Sequence, residues 1–164
     1  MQKLALLVPS LTLLGVMYCP SAIAQSNTQT KKPKIDLCSL LTAADAQRIT
    51  KAAMMKLPGN EDECVYSPTS YGGVPVDMVN LTIQRGAWAS VKQGITGAAA
   101  LMKATVEAVA GIGDEAVLTY SKEAGGTAVL LFRKGTIILQ LQAGMLNRQM
   151  DSLKEVGKKI AGQI

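Results

Sequence analysis

Three closely spaced strand patterns in the C-terminal half constrain the fold of this chain more than any other feature. They span Glu115–Tyr120, Thr127–Arg133 and Thr136–Gln142. The dipeptide Lys134-Gly135 predicts a tight hairpin turn between the last two. The run Ala128–Phe132 is apolar at every position, which is typical of a strand in the interior of a sheet. The pattern therefore predicts an antiparallel sheet rather than a helical bundle.

Periodicity elsewhere adds helices and two further strands. The predicted helices run from Thr42 to about Met55, from about Ala87 to Thr105 and from about Asn147 to Ile160, and the added strands are Cys64–Tyr66 and Val76–Arg85. The first helix begins with a capping box in which Asp45 replaces the usual glutamate. The order α-β-β-α-β-β-β-α predicts an α+β fold. In it, a mostly antiparallel sheet of about five strands carries two or three helices on one face.

Alternation within two of these strands predicts which side chains point away from the core. In the strand Val76–Arg85, the outward positions are Met78, Asn80, Thr82 and Gln84. In the last strand they are Gln140 and Gln142. We therefore expect one polar face on each strand.

The N-terminal segment has the layout of a secretory signal peptide. Lys3 precedes the apolar run Leu4–Cys19, and Ala22-Ile23-Ala24 forms a small-x-small cleavage site. We expect residues 1–24 to be removed near Ala24 and residues 25–34 to be a polar, basic linker. A single α+β domain at residues 35–164 would then be periplasmic or secreted.

Two other uses of this segment are open alternatives. The apolar run could remain as an uncleaved anchor, although it is shorter than the ~20 residues that a membrane span needs. Cys19 could carry a lipid, but Tyr18 stands where lipoprotein signals have a small residue. We expect neither, and we expect no transmembrane segment in the mature chain.

Net charge gives no indication of a nucleic-acid partner. The chain carries 17 basic and 12 acidic residues, a net charge of +5. Four of the basic residues, Lys3, Lys31, Lys32 and Lys34, precede residue 35, so the predicted domain has 13 basic and 12 acidic residues, a net charge of +1. A short lysine cluster in a polar tail is typical of a solvated linker.

Cysteine and histidine content constrain the chemistry. Outside the predicted signal peptide the two cysteines are Cys38 and Cys64, which in an exported chain predict one structural disulfide. A redox or metal pair is the alternative, but the chain has no histidine to complete a soft-metal site. The same absence excludes nucleophile–histidine pairs and imidazole acid–base catalysis. We expect no metal, no cofactor and no enzymatic activity.

The segment Gly111-Ile112-Gly113-Asp114 follows a predicted helix and precedes a strand. Glycine permits positive φ where a chain leaves a helix, and Asp114 can accept backbone hydrogen bonds in a turn. A phosphate-binding loop needs the reverse order of strand, glycine loop and helix. We therefore interpret Gly111, Gly113 and Asp114 as a structural turn.

The candidate contact residues are Tyr66, Tyr71 and Arg85, because aromatic residues and arginine are favoured at interaction hot spots. Tyr71 lies in a loop, Ser70–Gly73, where exposure is expected. Trp88 is on the apolar stripe of its helix, where a core position is expected. These residues suggest a binding module for an unknown protein or small molecule. A periplasmic inhibitor or immunity-type protein is an alternative, and a carboxylate-dependent hydrolase is a weaker one.

Several segments resemble an exported family of domains of unknown function, best known from actinobacterial lipoproteins of the 3558 type. The segments are Cys38–Ala46 (CSLLTAADA), Cys64–Tyr66, Gly111–Ala116 and Arg133–Gly135. The resemblance implies a Cys38–Cys64 disulfide, an extracytoplasmic α+β domain and no established catalytic site. This chain departs from the family by lacking a convincing lipidation site.

Overall fold

The computed structural model describes residues 34–69, 77–121, 126–144 and 149–164. The expectations for residues 1–33 and for Tyr71 lie outside these ranges. The described elements are α1 (Leu37–Leu40), α2 (Ala43–Thr50), β1 (Met54–Lys56), β2 (Glu63–Pro68), β3 (Val79–Gln84), α3 (Trp88–Leu101), β4 (Thr105–Ala108), β5 (Glu115–Tyr120), β6 (Thr127–Lys134), β7 (Ile137–Gly144) and α4 (Met150–Ala161).

The strands form one antiparallel sheet in the order β1-β2-β3-β7-β6-β5-β4. The α+β class and the antiparallel sheet are confirmed, but the described residues form a sheet of seven strands rather than about five, and four helices rather than two or three. The two additional strands are its edges, β1 and β4. Each follows a helix that ends earlier than its apolar pattern suggests.

A lysine in the left-handed conformation ends each of those helices. Lys51, with φ of 61°, caps α2, and Lys103, with φ of 53°, follows the last turn of α3. Left-handed backbone at a non-glycine residue cannot continue a right-handed helix. The chain therefore leaves each helix and adds a short strand to the nearest edge of the sheet.

Helices cover both faces of the sheet, so the expectation that they pack on one face is wrong. Neighbouring residues Leu130 and Leu131 point to opposite faces and belong to separate apolar clusters. The cluster of Leu130, on what we call the first face, includes buried residues of α1, α2 and α4. On the second face, Val117, Leu131 and Ile138 contact α3 through Trp88, Val91 and Ile95.

An ion pair between a buried aspartate and an exposed lysine joins α2 to α4 on the first face. The predicted capping box is confirmed, since Thr42 Oγ1 accepts from Asp45 N and an Asp45 carboxylate oxygen accepts from Thr42 N at 3.0 Å. Lys159 Nζ of α4 donates to that oxygen at 2.6 Å. Burial alone raises the pKa of Asp45, but the hydrogen bonds from Lys159 and Thr42 outweigh it and lower the pKa below its ordinary value.

Cys38 of α1 and Cys64 of β2 lie at disulfide distance, as predicted. Their sulfur atoms are 2.11 Å apart and their Cα atoms 5.3 Å apart. The link holds the N-terminal helix against the β1–β2–β3 side of the sheet. Within the four described ranges, no helix is long and apolar enough to cross a membrane.

Candidate functional site

Part of the second face is polar and lies beside α3 rather than beneath it. The main contacts of α3 with the sheet are to β4 and β5. Besides Ile138, which packs against α3, this face of β3 and β7 carries five hydrogen-bonding side chains. All five are half-buried, and we call them the amide surface: Asn80, Thr82, Gln84, Gln140 and Gln142. Half-exposed polar groups on a sheet can contact a ligand without a change in the conformation of the protein.

The register between β3 and β7 brings these groups together. Asn80 is directly opposite Gln142, and Thr82 is directly opposite Gln140. Side chains opposite each other in an antiparallel pair have Cβ atoms about 5 Å apart. The two strands are distant in sequence but adjacent in the sheet, and this adjacency turns two separate polar faces into one surface.

Hydrogen bonds connect four of the five members of the amide surface in a chain. Gln84 Nε2 donates to Thr82 Oγ1 and to Gln140 Oε1, both at 3.1 Å. Gln140 Nε2 in turn donates to Gln142 Oε1 at 3.3 Å. Each glutamine is therefore held in a defined orientation, which reduces the side-chain entropy lost when a ligand binds.

Glu63 of β2 extends this surface by one strand. Asn80 Nδ2 donates to Glu63 Oε1 at 2.8 Å, and Asn60 Nδ2 donates to Glu63 Oε2 at 3.4 Å. Asn80 Oδ1 is buried and has no hydrogen-bond partner within the part of the chain that the structure describes. A buried acceptor without a partner is uncommon, and it offers a site to a donor that reaches it.

A charged cluster borders the amide surface at the start of α3. Glu115 accepts from Trp88 Nε1 at 2.8 Å and from Arg133 Nη2 at 2.9 Å, and Lys92 Nζ lies 3.9 Å from it. The hydrogen bond from Trp88, followed by that from Arg133, lowers the pKa of Glu115. Lys92 Nζ is also 5.9 Å from the centre of the Trp88 ring, within cation–π range. These contacts fix α3 to the sheet.

The turn before β5 supports the hairpin between β6 and β7. Gly111 and Gly113 have φ of 77° and 60°. Asp114 N donates to Arg133 O, and Asp114 Oδ2 accepts from Gly135 N, both at 2.7 Å. A Cβ atom at Gly113 would overlap the Arg133 carbonyl oxygen. The hydrogen-bonding groups of Asp114 are therefore used to hold this turn against the hairpin between β6 and β7.

The candidate contact residues do not form one surface. Tyr66 is only 5% exposed and its hydroxyl donates to Leu41 O at 3.1 Å, so it belongs to the core. Arg85 is exposed at the end of β3 and pairs with Asp62 at 2.6 Å. Trp88 is half-buried against the second face. Tyr71 lies outside the described residues.

A groove of about 650 Å³ lies elsewhere, between residues 34–38 and residues 56–61, beside Glu63. Its rim carries charges of both signs, among them Lys34 and Glu61, which pair at 3.1 Å. Among all the residues that the structure describes, no three histidine, cysteine or acidic side chains converge into a group that could hold a metal ion.

No family model, curated protein or solved structure matches the chain.

Proposed function

We propose that this chain is an exported, non-enzymatic binding module and that the amide surface contacts its ligand. The observation that supports the proposal is the array of five half-exposed hydrogen-bonding side chains on two adjacent strands of a sheet. Sheet strands position side chains more precisely than loops do. Such an array recognises a ligand by shape and hydrogen bonding and requires no reacting group.

The chemistry of the surface selects a polar, uncharged ligand. A carboxamide side chain both donates and accepts hydrogen bonds, and a threonine hydroxyl does the same. Glu63 supplies the nearest carboxylate, and it already accepts from Asn80 and Asn60. We therefore infer a ligand rich in hydroxyl and amide groups, such as a saccharide that carries peptide or acetamido groups. Each hydrogen bond contributes only about 1 kcal/mol, so binding needs several of them at once.

Export is part of the same proposal. The Cys38–Cys64 pair at disulfide distance supports an oxidising compartment, where such bonds persist. The layout of residues 1–24 and the resemblance to exported domains of unknown function support it from the sequence. In the extracytoplasmic space, the saccharides and peptides of the cell envelope are ligands of the inferred chemistry.

A pair of double variants tests the proposal. Gln84→Ala with Gln140→Ala removes the central hydrogen bonds of the amide surface, whereas Gln47→Ala with Gln93→Ala removes two exposed glutamines from α2 and α3. Calorimetric titration with soluble peptidoglycan fragments is expected to show binding to the wild type and to the second variant. The first variant is expected to lose at least about tenfold in affinity. Equal affinity of the two variants, or no binding by the wild type, would contradict the proposal.

A further inference from the structure

The outer edge of β4 presents unpaired backbone groups. Val109 N donates to Ala116 O at 3.1 Å, which makes these two residues a hydrogen-bonded pair of the ladder with β5. Such pairs recur at every second residue, so the N–H and C=O groups of Val106 and Ala108 point away from β5. Among the described residues, no strand pairs with this edge. A free edge of this kind is a template for pairing with another strand.

Apolar side chains surround this edge. Leu101 is 88% exposed, Met102 is 71% exposed and Val106 is 45% exposed. The first two lie at the end of α3, a few residues before β4. Val106 points to the second face, on which α3 also lies, because its partner Thr119 is opposite Val129 on that face. An exposed apolar patch beside an open edge is typical of an interaction site.

The opposite edge of the sheet, formed by β1, carries residues that discourage pairing with another strand. In β1 the residues whose backbone groups point outward are Met54 and Lys56, and Pro58 lies two residues after the strand ends. Lysine and proline at an edge discourage strand pairing. In β4 the charged residue is Glu107, whose carboxylate is engaged by Lys154 Nζ at 2.8 Å on the first face. The edge at β4 is therefore the more open to pairing.

A two-fold register centred on Val106 suits the edge of β4 better than the registers centred on its two neighbours. In an antiparallel pair related by a two-fold axis, a register centred on Glu107 would place two carboxylates opposite each other, which is destabilising. A register centred on Thr105 would need the N–H of Ala104, which already donates to Ala99 O at 2.8 Å. A register centred on Val106 keeps the carboxylates apart. It loses only the bond from Ala104 N–H, which stays with Ala99 O, while the two Val106 bonds and the bond from Ala108 N–H to the Ala104 carbonyl of the other copy can form.

We propose that β4 pairs with β4 of a second copy of this chain, with Val106 opposite Val106 across the two-fold axis. Val106 then exchanges two backbone hydrogen bonds with its counterpart, and Ala108 donates one in each direction. The two sheets become continuous, and both exposed patches of Leu101 and Met102 lie on the same side of the joined sheet. This inference does not depend on the proposed function, since the amide surface lies on other strands.

Charge reversal at the axis tests the pairing. The full chain is examined by sedimentation equilibrium from about 1 µM to about 1 mM, a range that covers weak homodimers. We expect a dimer for the wild type and monomers for Val106→Lys and Val106→Glu alone, because each places like charges opposite each other. An equimolar mixture of the two is expected to dimerise again. Val106→Thr and the β1-edge variant Met55→Lys are matched controls and are expected to stay dimeric.

Cysteine cross-linking tests the register. Hydrogen-bonded antiparallel pairs have Cα atoms about 5.5 Å apart, within the range of a disulfide. Val106→Cys is therefore expected to form an intermolecular disulfide under mild oxidation. Ala108→Cys, on the same edge and face, is separated from its counterpart by four residues, more than about 12 Å, and is expected not to.

Three results would overturn the proposal. A monomeric wild type at all concentrations would mean that β4 does not pair with itself, whatever else binds there. Dimers that persist in Val106→Lys would place the contact on another surface. Cross-linking of Ala108→Cys as fast as Val106→Cys would exclude the register.

Discussion

At position 113, the backbone conformation and the packing both require glycine. Its φ of 60° favours glycine, and a Cβ atom there would overlap the Arg133 carbonyl oxygen. The sequence indicated a glycine turn at this place between a predicted helix and a strand, whereas in the structure the turn joins the strands β4 and β5. It could not indicate the contact with Arg133, which arises because β5 and β6 are paired.

Gly113→Ala is expected to lower the free energy of unfolding by about 1 kcal/mol or more, since alanine is strained at positive φ and the Arg133 carbonyl must move. Urea unfolding monitored by circular dichroism measures the loss. Gly111→Ala is a matched control, because its φ is also positive but the space around it is open. A loss in Gly111→Ala as large as in Gly113→Ala would show that the contact with Arg133 contributes nothing.

The lowered pKa of Asp45 predicts that the stability of the fold depends on pH. Its pKa in the folded protein is below the ordinary value of 3.8, so the unfolded chain takes up the proton first. The stabilisation is therefore fully present above that value and is lost as the pH falls through the folded pKa. Asp45→Asn is expected to be less stable at neutral pH and to lose less stability on acidification. Unfolding midpoints from pH 7 to pH 2 measure this, with Asp151→Asn on the exposed face of α4 as the control.

At the scale of elements, the interior of the sheet was predictable and its edges were not. The strands β5, β6 and β7 form where their sequence patterns predicted them, because each has a neighbouring strand on both sides. The edge strands β1 and β4 have three and four residues, and neither was predicted, since the predicted helices extended into them, to about Met55 and to Thr105. The left-handed lysines that end those helices give no sequence signal, because lysine is an ordinary helix former.

The docking of α3 on the sheet has a spectroscopic test, because Trp88 is the single tryptophan of the chain. Its indole donates to Glu115, whose pKa is lowered from its ordinary value of 4.5. Trp88 emission is therefore expected to change with a midpoint below 4.5, and Glu115→Gln is expected to abolish the transition. A transition that persists in Glu115→Gln would assign it to another group.

The short distance between the sulfur atoms of Cys38 in α1 and Cys64 in β2 predicts a disulfide bond in the exported protein. Mass spectrometry of a proteolytic digest is expected to show the Cys38–Cys64 peptide pair and an N-terminus at Gln25. Replacing both cysteines with serine is expected to cost about 3 to 4 kcal/mol, since the bond closes a loop of 26 residues. Free thiols at both positions would contradict the bond and the compartment argument that rests on it.

At the scale of the whole molecule, one segment of the sequence indicated that both faces of the sheet are covered. Ala128–Phe132 is apolar at every position, which requires packing on each side of the strand. An arrangement with helices on a single face would have left Leu131 exposed, whereas α3 buries it. The amide surface was predictable only in part. Alternation placed its side chains outward, but the adjacency of β3 and β7 is a long-range pairing that no local pattern contains.

The side-chain amide groups of Gln84, Gln140 and Gln142 give the most direct test of the claim that the amide surface binds the ligand. Their NH₂ resonances can be followed by nitrogen–proton correlation spectroscopy while soluble peptidoglycan fragments are added to the wild-type protein. The account predicts saturable shifts of these three groups and an unchanged resonance for Gln93 on α3. Saturable shifts confined to residues 34–38 and 56–61, with the three glutamines unchanged, would place the site in the groove beside Cys38 and contradict the account.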